Sequence, residues 1–112
     1  MMSIQVTELA SAARTTTGQS VGSAMPNEYE ELNVYLNVTA VSGTTPSMTV
    51  TYQCSPDGTN WYDHTSGSAI TAAANQLIKV NANIGKFGRL SYVISGTTPS
   101  FTFSAILEGK RP

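Results

Sequence analysis

Asp57, Asp63 and His64 stand close together in this 112-residue chain and are of types that could hold a metal ion, and His64 is its only histidine. Adjacent side chains on a strand point to opposite faces, so Asp63 and His64 cannot both face one ion without a bulge. A serine hydrolase would need a serine raised on a strained turn and a carboxylate behind His64, and no Gly-x-Ser-x-Gly occurs. Glu28, Glu30 and Glu31 lie close together but read as a solvated strand entrance rather than an acid/base pair. Glycine-rich phosphate loops are absent. Cys54 is the only cysteine, which excludes an intrachain disulfide, and it falls in phase with Met48, Val50 and Tyr52 as a small core residue. The expectation is a protein that is not an enzyme and uses no metal or cofactor.

Ser55-Pro56-Asp57-Gly58-Thr59-Asn60-Trp61-Tyr62 is the most distinctive local text. Pro56 at the second turn position, with Asp57-Gly58 behind it, predicts a tight reversal whose carboxylate accepts backbone N–H bonds. Trp61 is then expected to plug the core beneath the turn. The competing reading exposes Trp61 and Tyr62 as a platform for stacking on a sugar. That reading leans on a likeness: the turn is similar to the Asp-box hairpin of sialidases, one residue shorter, and to the Ser-x-Asp-Gly-x-x-Trp hairpins of discoidin-like carbohydrate-binding domains.

The elements that must position these residues are strands. Charged residues make up 12% of the chain, against about 25% in ordinary domains. The surface must therefore be built mainly from Ser, Thr, Asn and Gln, with little charge repulsion against a close neighbour. Net charge is −1, and Lys110-Arg111 is the only adjacent basic pair, so no nucleic acid is expected as a partner. No apolar run approaches the roughly 20 residues of a membrane helix, and the N-terminus lacks the basic start and apolar stretch of a signal peptide. No membrane association is expected either.

Ile4 and Val6 alternate with Gln5 and Thr7 in a first strand over 3–9. From Ser11 to Asn27 the chain turns to Ala, Ser, Thr and Gly, closing on Met25-Pro26-Asn27. With so few large apolar residues, this stretch is expected to be an extended arm or irregular edge strand, ordered against a partner. Residues 1–27 thus form an N-terminal strand and arm, and 28–112 a sandwich domain. In the clearest strand, over 30–41, Leu32, Val34, Leu36, Val38 and Ala40 face one way. Further strands are predicted at 48–54, 61–64, 76–83, 89–95 and 101–107, with a small-residue connection over 65–75 whose Ala72-Ala73-Ala74 could add one helical turn. About seven to eight short strands make an all-β antiparallel β-sandwich or small barrel, Ig-like or jelly-roll-like, with an N-terminal arm.

One loop is written twice. Ser42-Gly43-Thr44-Thr45-Pro46-Ser47 returns unchanged as Ser95-Gly96-Thr97-Thr98-Pro99-Ser100. Gly and Pro between alternating runs predict two corresponding hairpins. Downstream the copies agree in phase, since Met48, Val50 and Tyr52 align with Phe101, Phe103 and Ala105. Upstream they disagree, because Leu90 and Tyr92 align with Asn37 and Thr39. A one-residue slip reverses the faces of a strand, so one copy is predicted to carry a bulge.

These pieces also stand in an order. A strand, Val41 and the first loop, a strand ending in Cys54 through Tyr62, then Gly88-Arg89-Leu90 and the second loop with Phe101-Thr102-Phe103, resembles small structural proteins of tailed bacteriophages over roughly residues 30–107. The resemblance implies a non-enzymatic virion structural protein made in the host cytoplasm. Its most specific form is a capsid decoration or cement protein on the capsid surface, a homo-oligomer binding the major capsid protein or another virion protein. A tail or baseplate part is the alternative, as is a host-surface glycan module using Trp61 and Tyr62. Ile4, Val6 and Leu9 are the apolar contacts expected to meet the partner.

Overall fold

The structure is a computed structural model that describes residues 3–20, 22–24, 31–81 and 84–110. Met25-Pro26-Asn27, Glu28 and Glu30 lie outside the described residues. Within them the chain forms seven strands and no helix: β1 (Ser3–Arg14), β2 (Gly18–Gln19), β3 (Ser23–Ala24), β4 (Glu31–Ser55), β5 (Tyr62–Ser66), β6 (Ala74–Asn81) and β7 (Phe87–Lys110). All pair antiparallel. The 65–75 connection holds no helical turn; it runs along β4 through a bridge in which Met48 and Ile70 exchange both backbone bonds, at 2.9 and 2.7 Å.

The repeated loops are not hairpins, and here the sequence expectation is corrected. Each lies inside one long strand, β4 or β7, and the two copies pair with each other: Ser42 with Ser100, Thr44 with Thr97, Ser47 with Ser95. Each copy bends its strand with two left-handed residues, Gly43 (φ 112°) and Thr45 (φ 47°) in β4, Gly96 (φ 121°) and Thr98 (φ 46°) in β7. The fit is reciprocal. A Cβ at Gly43 would lie 2.7 Å from the Thr98 carbonyl oxygen and 2.9 Å from Pro99 Cα; one at Gly96 would lie 2.8 Å from the Thr45 oxygen and 3.0 Å from Pro46 Cα. Each glycine makes room for the other copy's Thr-Pro. Two-fold-like packing of this kind asks for the same residues on both sides, which accounts physically for the duplication.

The paired bends fold the β4–β7 ladder onto itself. One layer holds β6, the first half of β4, the second half of β7 and β1; the other holds β5, the second half of β4, the first half of β7, and β2 and β3. The rings of Tyr92 and Phe103, on either side of the bend in β7, stand 5.5 Å apart edge to face. Along a straight strand they would be separated by roughly 36 Å. Leu32, Val34, Leu36, Val38, Phe103, Ala105 and Leu107 from one layer join Met48, Val50, Tyr52 and Leu90 from the other in a single core. Burying each large side chain contributes about 1.5–3 kcal/mol.

The expected bulge is present, in the first copy. Pairing slips by one residue between Val38 and Ala40, leaving Thr39 as the extra residue. Val38 is buried, Thr39 and Ala40 are both exposed, and Val41 turns back to pack on the core. That slip is why Val41 matches Ile94 in phase while residues further upstream do not.

Candidate assembly surfaces

Residues 3–20 and 22–24 lie along one edge of β7 as a strap, the irregular edge strand of the two forms the sequence allows, and do not project as an arm. An uncovered β7 would present a full row of unpaired N–H and C=O groups, and pairing removes that cost. Ile4 pairs with Gly109 and Val6 with Leu107, while the side chains of both lie outside what is described. Leu9 is 8% exposed and belongs to the core, so in this arrangement it is not an open contact for a partner.

Beyond Leu9 the strap is held by polar anchors. Arg14 Nη1 donates to the Phe103 carbonyl at 2.8 Å, with its guanidinium carbon 4.5 Å from the centre of the Phe103 ring. The Ile94 N–H donates to Thr17 Oγ1 at 3.0 Å. Ser20, 5% exposed, donates its N–H to the Leu90 carbonyl (2.8 Å), accepts from the Leu90 N–H on Oγ (2.9 Å), and donates Oγ–H to Glu8 Oε2 (2.7 Å). Hydroxyl side chains thus complete a ladder in which β2 contributes only the pairs Gly18 with Tyr92 and Gln19 with Ser91.

The β4–β5 turn consumes its carboxylate. Asp57 Oδ1 accepts from the N–H of Thr59 and of Asn60, both at 2.9 Å, and Oδ2 accepts from Asn60 Nδ2 at 3.0 Å. Those backbone bonds, first Asn60 and then Thr59, hold the Asp57 carboxyl well below the usual carboxylate range. Trp61 is half-buried and stands outside the core cluster, so it is not the core plug expected from the sequence. The guanidinium carbon of Arg89 sits 4.4 Å from the centre of its ring, and Gly22 of the strap lies against its Cη2–Cζ2 edge. Tyr62 is 60% exposed. Sequence neighbours here do not form one platform: one ring is capped by a cation and the other is open.

Asp63 and His64 diverge as strand geometry requires. Asp63 accepts from Gln53 Nε2 at 2.8 Å, and Gln53 Oε1 accepts from Arg89 Nε at 2.7 Å. His64 instead packs edge-on against Tyr52 at 5.8 Å, with Nδ1 2.7 Å from Thr65 Oγ1. Burial pushes the Tyr52 phenol above its ordinary pKa, and its O–H donates to the Ile84 carbonyl at 2.7 Å.

The outer face of the first layer carries a surface that the sequence reading missed. Tyr35 and Leu77 are exposed large side chains there, and with Ile106, Asn37 and Ser104 they line an open groove of about 410 Å³. The Tyr35 O–H donates to Glu108 Oε1 at 2.6 Å, and Asn33 Nδ2 donates to the same oxygen at 3.2 Å. The bond to Glu108 raises the Tyr35 pKa. Only the register of β4 on β7, Asn33 opposite Glu108 and Tyr35 opposite Ile106, brings these residues together.

No protein-family model and no curated protein sequence matches the chain. Solved structures do. The PBSX exported protein XepA matches over 97% of this chain with a TM-score of 0.71 at 13% identity. The structure of the infectious bursal disease virus Gx strain matches over 96%, with a TM-score of 0.64 at 15% identity. This fold also occurs in proteins of viral and prophage origin. SPBc2 prophage-derived protein YomS matches over 96% of both chains, with a TM-score of 0.54 at 12% identity. The chain spans 37% of the XepA chain and 31% of the viral one, and at these identities the likeness is one of fold.

Proposed function

We propose that this chain is a non-enzymatic structural subunit of a virus-type particle, and that its specific role is to decorate and cement a capsid by binding neighbouring major capsid subunits. The observation that carries the reading is the two-layer fold it shares with a virus protein and with a prophage-derived protein of similar length. Low charge, at 12% of residues, supports it by keeping repulsion small where subunits crowd. The exposed Tyr35 and Leu77 on an outer sheet face offer apolar area to a neighbour. The stacked Arg89 leaves Tyr62 alone as an open ring at the β4–β5 turn, which weighs against a sugar platform built on Trp61.

The test is electron microscopy of intact particles labelled with an antibody against the chain. Label repeated over the head is the expected result. Label confined to the tail would replace capsid decoration with a tail or baseplate role, and purified particles that carry no label would end the virion reading.

A further inference from the structure

Among the described residues the strap has a single neighbouring strand. There β1, β2 and β3 each pair with β7 alone, so removing residues 3–24 would leave the β6–β4–β7 and β5–β4–β7 ladders whole. What it would uncover is one continuous edge of the 24-residue strand β7, running through both layers. An edge of that length is a strong template for another strand, and some segment must cover it.

Backbone pairing runs along that edge, but beyond Leu9 few side chains are buried with it. β1 carries two register slips, between Thr7 and Leu9 and between Leu9 and Ala12. Ala10, Ser11, Ala12 and Ala13 are exposed, as are Thr15, Thr16 and Thr17. Leu9, Arg14, Thr17 and Ser20 do the anchoring. Segments with few buried apolar contacts open locally at much lower free energy than the whole domain.

We infer that residues 3–24 are exchangeable: in the assembled protein the strap of one copy lies on the β7 edge of a second copy, in the register it adopts on its own. An identical chain offers an identical edge, so every anchor is recovered after exchange, which makes swapping a low-cost route to association. The occupant is therefore a second copy of this chain. Reach limits the geometry, because Ala24 and Glu31 are joined by residues 25–30 and can stand at most about 25 Å apart. The two β7 edges must lie side by side, and the low charge of the chain permits that approach. A strap handed onward rather than exchanged mutually would build an open series of subunits instead of a closed pair.

The experiment uses the purified full chain in a Cys54→Ser background, which removes its only thiol. One preparation carries Ala13→Cys and the other Thr102→Cys, positions that face each other between β1 and β7. Neither chain can form this disulfide within itself. Mixing them under mild oxidant at high concentration is expected to give a covalent heterodimer several-fold above a control pairing Ala13→Cys with Thr71→Cys, an exposed position away from β7. A second pair, Gln19→Cys with Ser91→Cys, reads the other layer and covers the case in which Thr102→Cys fails to fold. No heterodimer above control in either folded pair overturns the proposal. The assay contains no particle, so its failure leaves the virion reading untouched, and a failure of particle labelling leaves strand exchange untouched.

Discussion

The β4–β7 ladder and the strap laid on it are both antiparallel β-structure, yet they hold by different means. The ladder alternates large buried side chains on either side of the bend and crosses it on two interlocked copies of one loop. Beyond Leu9 the strap has no alternating apolar face; it slips register twice and adds to its backbone pairing only an arginine and two hydroxyls that bond the β7 backbone. The first arrangement specifies one partner strand, because a slip would turn an apolar face to water. The second specifies an edge and a register on it, which an identical edge on another copy offers equally. Stability therefore resides in β4 and β7, and freedom to change partners in residues 3–24.

The largest effect should come from breaking the ladder at its bend. Gly43→Ala and Gly96→Ala each place a Cβ within 3 Å of the opposite loop's backbone at a left-handed φ. Each is expected to cost roughly 1–3 kcal/mol. Because the two glycines belong to one reciprocal contact, the double variant should depart from additivity. Urea unfolding of the two single variants and the double variant measures this. Additive losses, or single losses below 0.5 kcal/mol (about the noise of surface changes), would mean the loops do not interlock.

Why the alternating runs were legible and the bend was not follows from the same contrast. Leu32 through Val38 and Met48 through Tyr52 announce their faces, because period-two burial is a local property. Gly and Pro are local signals too, but they mark a change of direction without saying whether the chain reverses or merely bends. That depends on what pairs alongside, and the partner of Thr44 is Thr97. The bulge could be foreseen because two copies could be compared with each other. Thr17 and Ser20 fall in a stretch that the sequence leaves open between an arm and an irregular edge strand, since a hydroxyl standing in for a ladder bond leaves no periodic trace. Nothing in the sequence joins Tyr35 to Glu108 until the register is known. Trp61 defeats a simple inside-or-outside choice because Arg89 covers its ring.

A smaller and more local effect is expected from Ser20→Ala. The change deletes the acceptor for the Leu90 N–H and the donor to Glu8, a loss on the order of 1–3 kcal/mol if the N–H stays buried and unpaired. The strap can instead lift away and let water solvate that group. Hydrogen exchange separates the two outcomes. Amides of β1 and β2 should exchange markedly faster in the variant while the β4 amides keep their protection. Equal acceleration across β4 and the strap would show that they unfold as one unit and would erase the distinction between them.

The β4–β5 turn provides the smallest effect and a control for both regions, since it too is held by polar bonds but only to its own next residues. The folded-state pKa of Asp57 lies below its ordinary value of 3.8, so its bonds stabilise the fold above about pH 4 and are lost as pH falls below that value. Asp57→Asn removes the charge that these N–H groups solvate. The wild-type chain should be the more stable of the two at neutral pH, by a margin constant down to about pH 4 that then narrows as acid is added. Urea midpoints of both chains across that range measure the margin. A gap that stays constant in acid would assign the effect of Asp57 to turn geometry rather than to its charge. The exposed carboxylate acts over two or three residues, so neither the ladder nor the strap should change its hydrogen exchange in the variant.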